Sequence, residues 1–114
     1  MSTYNEWRLF LRNFPKDTRY TLGAKVDVLF LEVAEALFVA SRVERAYKLP
    51  FLRKASLKLD LLRFFLQVAW ESKSLDTKKY IRMSEHFDEI GRMLGGWQKQ
   101  TLQKETPASR GGKT

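Results

Sequence analysis

Apolar residues recur at helical spacing along most of the chain, and nowhere do they alternate as a strand requires. Tyr4, Trp7, Leu11 and Phe14, spaced 3, 4 and 3, predict a short first helix. Ser2 or Thr3 can cap it, and Pro15 ends it, because proline disfavours helix at the residue before it. Asp17 or Thr18 can cap a long second helix whose buried stripe is Leu22, Val26, Leu29, Val33, Leu37, Ala40 and Val43. Val28, Phe30, Leu31, Phe38 and Val39 are also apolar and fall well outside that stripe. The Lys48-Leu49-Pro50 segment predicts the next boundary, followed by a third helix from about Phe51 to Ser72. Its inner row is Leu52, Ala55, Leu59, Leu62, Leu66 and Ala69, with a second apolar row of Leu57, Leu61, Phe64 and Val68. A single polar row remains: Arg53, Ser56, Asp60, Arg63 and Gln67. Ser74 or Asp76 caps a last helix over about residues 76–103, with Tyr80, Met83, Phe87, Ile90, Leu94 and Trp97 inward. From Glu105 the chain reads ETPASRGGKT, small and polar. The expected organisation is a helical domain over residues 1–104 and a flexible polar, basic tail over 105–114.

Four helices joined by short breaks, with no internal repeat, predict an all-α, up-and-down four-helix bundle. Helices two and three carry more apolar surface than such a bundle hides. At about 25 cal/mol per Å² left in water, the surplus predicts burial against another subunit, hence a homo-oligomer. Gly91 and Gly95 lie one turn apart in EIGRMLGGW, with Gly96 beside them, and each interior glycine costs about 0.8–1.0 kcal/mol relative to alanine. A continuous helix through them implies a neighbour close to their backbone; the other reading is that Gly95-Gly96 ends the helix.

Charge adds a partner to this picture. The 114 residues hold 21 Lys+Arg against 13 Asp+Glu, a net charge of +8. Residues 1–50 contribute +2 (8 basic, 6 acidic) and residues 51–114 contribute +6 (13 basic, 7 acidic). A basic excess in one half points to an anionic partner, foremost nucleic acid; the alternatives are simple solubilisation of an apolar protein and an anionic membrane. The membrane reading is the weakest, because the basic residues are not gathered opposite a purely apolar face. The longest charge-free apolar stretch is Phe64–Trp70, far short of the roughly 20 residues that span a bilayer. MSTYNEW lacks the plan of a signal peptide, so a cytoplasmic location is expected. With no cysteine there is no disulfide framework, thiolate zinc site or cysteine nucleophile.

Catalytic chemistry finds little support. His86, with Glu85 and Glu89 near it, is the lone histidine, and a solvated helix face suits it better than a metal site. The ending RGGKT resembles the close of a phosphate-binding loop, but Pro107 stands where that motif needs glycine. No enzyme activity, metal or cofactor is expected. Two basic constellations remain: Arg53, Lys54, Lys58 and Arg63 in the third helix, and Arg92, Lys99, Lys104, Arg110 and Lys113 in the last helix and tail. Such rows suit phosphate contacts without sequence readout. Arg63 has another reading, an intrahelical pair with Asp60 and a stem packed among the apolar residues of LLRFF.

The stretch YKLPFLRKASLKLDLLRFFLQVAWESK, followed by EIGRMLGGWQK, is similar to the second half of the accessory variability determinant proteins of diversity-generating retroelements. FPKDTRYTLGAKV at 14–26 matches more loosely. Four-helix-bundle proteins encoded in ribosomal RNA intervening sequences share the FPK…RYTLG and EIGRML features, while LLRFFLQ favours the retroelement family. The resemblance implies a five-membered barrel of four-helix bundles with a basic surface. It implies a non-catalytic accessory that binds the retroelement's reverse transcriptase and its RNA or DNA in mutagenic retrohoming. Arg63 and Arg92 match family arginines; Gln67 stands where the family can have another, and the short first helix is a second departure. The other functions open to the sequence are a protein-binding scaffold and a ribosome-associated bundle.

Overall fold

A computed structural model describes the backbone of residues 2–110 and the side chains from Thr3 to Leu102. Among them are four helical segments and no strand. Helix α1 is Ser2–Leu11, so Thr3 lies inside its first turn and does not cap it, while the Ser2 side chain lies outside the described part of the chain. Its apolar side places Trp7, Leu11 and Phe14 in the core. Polar contacts fix its orientation: the Trp7 Nε1 donates to Asp27 at 3.2 Å, and Arg8 pairs with the same carboxylate at 3.5 Å.

Helix α2 covers residues 16–42 as a short α turn (Lys16–Thr18), a π turn (Arg19–Gly23) and a long α segment (Ala24–Arg42). It starts directly after Pro15, with no side-chain cap bond, so Asp17 and Thr18 fall inside it. The π turn serves the junction with α1. Arg19 Nη2 donates to the carbonyls of Arg12 (3.0 Å) and Phe14 (3.1 Å), occupying acceptors left at the end of α1. Gly23 faces Leu11 so closely that a Cβ would collide with it.

The next break falls at Val43 and Glu44, whose extended backbones reverse the chain; it does not fall at Lys48-Leu49-Pro50. Helix α3 is Arg45–Glu71 and contains Pro50. Pro50 is the sixth residue of the helix, past the first turn where a missing N–H costs nothing, so it leaves the Ala46 carbonyl without its intrahelical donor. Lys48 is bound across the break, donating to the Ala40 carbonyl at 2.6 Å and satisfying the end of α2. Helix α3 ends with Lys73 at φ 66°, while the Ser74 amide donates to the Ala69 carbonyl at 2.9 Å, the closing bond of a Schellman turn. Helix α4 is Thr77–Arg110 and is capped by Asp76, which accepts from the Lys79 amide at 2.9 Å. Ser74 does other work: it is buried, and its hydroxyl donates to Thr18 at 2.8 Å. Helix α4 continues past residue 104 to Arg110; residues 111–114 lie outside the described part of the chain.

All six residues of the predicted inner row of α3 are buried, against Val26, Leu29, Val33 and Ala40 of α2 and Met83, Phe87 and Leu94 of α4. Two assignments change. Phe30, placed outside the stripe, is buried with its ring edge-on to both Tyr4 and Phe87, at 5.3 Å from each. Trp97, placed inside, is 42% exposed, and Thr101 is the buried residue one turn on. The cause is the reach of α1. Lys79 lies over Phe10, and Glu6 pairs with Arg82 and His86, so α1 lies along α4 only as far as His86. Beyond that point, Ala34 and Leu37 of α2 and Ile90, Met93 and Trp97 of α4 line an apolar groove floored by Leu59 and Leu62 of α3, at whose edge Met93 and Trp97 stay partly exposed.

Candidate nucleic-acid interface

The basic residues singled out above do not form one patch. On α3, Lys58 turns toward α2 and pairs with Glu32 at 3.3 Å. Arg63 turns toward α4, where one nitrogen, Nη2, donates to Asp88 at 2.8 Å and to the Phe87 carbonyl at 2.9 Å. The intrahelical partner Asp60 is not used, because α4 offers a carboxylate and a carbonyl in the same direction. Arg63 Nε is buried without a hydrogen-bond partner, which marks the stem as packed. This residue joins two helices and has little freedom to follow a phosphate.

Gly91 belongs to the same contact. A Cβ there would stand 3.1 Å from Arg63 Nη2 and 3.7 Å from Leu59, so the close neighbour expected of an interior glycine is present. At Gly95 and Gly96 the expectation fails among the described residues: none lies within 4 Å of an added Cβ, although the helix continues through both. Arg92 is exposed and shares a cleft of about 390 Å³ with Arg63, Ser56, Asp60 and Asp88. Two arginines there face two aspartates, so the local charge is balanced.

Arg53, Lys54, Arg92 and Lys99 are exposed and have no ion-pair partner among the described residues. The side chains of Lys104 and Arg110, and all of Lys113, lie outside the described part.

His86 is not simply solvated. It is half-buried, with Nε2 3.1 Å from Glu6, and Arg82 pairs with the other oxygen of that carboxylate. The Arg82 guanidinium, assisted by His86, holds the Glu6 carboxyl below the usual carboxylate range against the opposing effect of burial. No group of three or more metal-binding side chains occurs among the described residues. The contact was invisible in sequence because 80 residues separate its members. Arg45 and Lys48 were likewise passed over. Together with Leu37, Leu52 and Trp97 they line a cavity of about 360 Å³.

The sequence matches the family described as bAvd-like over residues 4–101. The chain belongs to the bAvd-like family. That span takes in all four helices, and the membership agrees with the likeness carried by the LDLLRFFLQ and EIGRMLGGW blocks. No curated protein and no solved structure matches the chain. A bAvd-like protein is an accessory kind of protein, and the balanced cleft and scattered free cations are the features such a role has to use. No helix among the described residues is long and apolar enough to cross a membrane.

Proposed function

We propose that this protein is a non-catalytic accessory of a diversity-generating retroelement. It assembles with copies of itself and presents its free cations to RNA or DNA and to the reverse transcriptase. The observation that carries this reading is the bAvd-like match across residues 4–101. Two physical features support it. The net charge of +8 is multiplied by any assembly; five copies, the number the family resemblance implies, would carry about +40, a field that steers polyanions. The apolar side chains of Leu57, Phe64, Phe38 and Met93, each at least half exposed, are surface that assembly would cover.

Phosphate contact falls first to Lys54, Arg92, Lys99 and Arg53, which have no ion-pair partner among the described residues, and the sequence adds Lys104, Arg110 and Lys113 to the basic residues available. Arg63 and Lys58 contribute field more than contact, because each already holds a carboxylate. The test is fluorescence anisotropy with labelled single-stranded RNA and DNA of unrelated sequences. Binding is expected to be nearly indifferent to sequence and to weaken steeply between about 50 and 200 mM salt. Affinity that stays level across that range overturns the reading.

One observation favours a second reading, a protein-binding scaffold. The Arg63/Arg92 cleft, with its two aspartates, suits a mixed-charge protein surface better than a polyanion. Reversal of Arg92 that abolishes reverse transcriptase binding and leaves RNA affinity intact would support it.

A further inference from the structure

We propose that the cavity enclosed by the end of α2, the start of α3 and the second half of α4 binds a small amphipathic organic anion, a carboxylate or phosphate ester carried on an apolar chain. Such a site depends neither on assembly nor on nucleic-acid binding. The cavity holds about 360 Å³, a size usual for small-molecule sites. Leu37, Leu52 and Trp97 form its apolar wall, and Arg45 and Lys48 its charged edge. No carboxylate lines it. Clefts elsewhere on the molecule differ in this respect: Arg8, Arg12 and Arg19 share theirs with Asp27, and Arg63 and Arg92 share theirs with Asp60 and Asp88. Arg45 has no ion-pair partner among the described residues. Lys48 uses one of its three N–H donors on the Ala40 carbonyl, at 2.6 Å, which leaves the others for a ligand.

The two ends of the cavity give the ligand its shape. At one end, both cations belong to the first turn of α3, where the positive end of the helix dipole adds to their charge. Glu44, the residue before that turn, makes no side-chain capping bond there and does not line the cavity. At the other end, Leu37 and Trp97 also line the apolar groove between α2 and α4, a further 130 Å³ or so walled by apolar side chains alone. The two spaces therefore share a wall. A chain whose head sits between Arg45 and Lys48 can follow Leu37 and Trp97 toward Ile90. It would also cover the Trp97 ring, which is 42% exposed. A bare phosphate would leave this apolar wall wet, and a neutral chain would leave two cations unanswered. Only a ligand with both parts satisfies both ends.

The experiment is isothermal titration calorimetry of the full chain with four probes: decanoate and decyl phosphate below their micelle thresholds, decanol, and inorganic phosphate. Decanoate and decyl phosphate are expected to bind once per chain, and decanol and inorganic phosphate at least about tenfold more weakly, since each lacks one half of the ligand. Arg45→Gln should weaken decanoate about tenfold and leave decanol unchanged, whereas Trp97→Ala should weaken both. Arg45 and Trp97 are exposed enough for either variant to fold, which circular dichroism checks. Flotation with phosphatidylglycerol vesicles separates the two sources of such a head: a chain that binds decanoate and ignores vesicles takes a free anion, and one that floats in an Arg45-dependent way takes a lipid. Decanol as tight as decanoate overturns the charged edge, and inorganic phosphate as tight as decanoate overturns the apolar wall. Arg45→Gln that binds decanoate like wild type, or decanoate bound many times per chain with loss of near-ultraviolet dichroism, overturns the site as a whole.

Discussion

Single residues in this protein are placed by backbone geometry as much as by side-chain chemistry. Lys73 adopts a left-handed conformation, φ 66°, at the turn that closes α3. An L side chain pays roughly 1 kcal/mol for that region, whereas glycine enters it freely. Lys73→Gly is expected to raise stability by about 0.5–1 kcal/mol, read as a higher urea midpoint with an unchanged slope. The glycines of α4 separate by the same logic. Gly95→Ala meets open space and should recover about 0.8–1.0 kcal/mol of helix propensity. Gly91→Ala gains the same propensity but pushes on Arg63 Nη2, 3.1 Å away, and on its two hydrogen bonds. Its unfolding midpoint should stay close to that of wild type. If Gly91→Ala stabilises as fully as Gly95→Ala, the Arg63 contact carries no weight.

At the scale of elements, α1 is docked by a buried apolar side and by a few polar contacts, and one of the polar contacts titrates. Glu6 has its carboxyl lowered from the model-compound value of 4.5, first by Arg82 and then by His86. A carboxyl depressed in the folded state stabilises fully above its unfolded value, and the contribution disappears as pH falls through the lower, folded value. The docking of α1 should therefore weaken below about pH 4.5. Glu6→Gln is expected to lower stability at pH 7 and to flatten the loss between pH 5 and pH 3, as followed by urea unfolding at each pH. An unaltered acid slope in that variant would show that other carboxylates govern the region. The caps around α1 and α4 were legible only in part. The residue types at Asp76 and Ser74 announced a helix start, but which of them caps depended on Ser74 reaching Thr18, 56 positions away.

For the molecule as a whole, charge and apolar surface act together. If Lys54, Arg92 and Lys99 each touch a phosphate, replacing all three with glutamine should reduce the slope of log affinity against log salt by about three. A variant altered only at Arg63 should change that slope by less, and should unfold more easily because Asp88 and the Phe87 carbonyl lose their donor. Equal slope changes at Arg63 and Arg92 would return Arg63 to the binding surface. The candidate site was half visible from sequence. Residue type and spacing pointed to the cations, but could not tell Arg92, which is free, from Arg63 and Lys58, which reach carboxylates on other helices.

The sequence by itself determined the helices and their inward faces, because a period of 3.6 residues is a local property: the row from Leu52 to Ala69 needed no knowledge of its neighbours. It also determined that apolar surface would be left over, since the row from Leu57 to Phe64 lies outside any one core-facing stripe. Tertiary structure decided where chains of contact cross between helices. Pro50 signalled a break that packing moved back to Val43 and Glu44, with Lys48 closing α2 across it. Phe30 went in and Trp97 came out because α1 covers one end of the α2–α4 groove and not the other. How far a neighbouring helix reaches is set by packing in three dimensions, which periodicity along the chain does not encode.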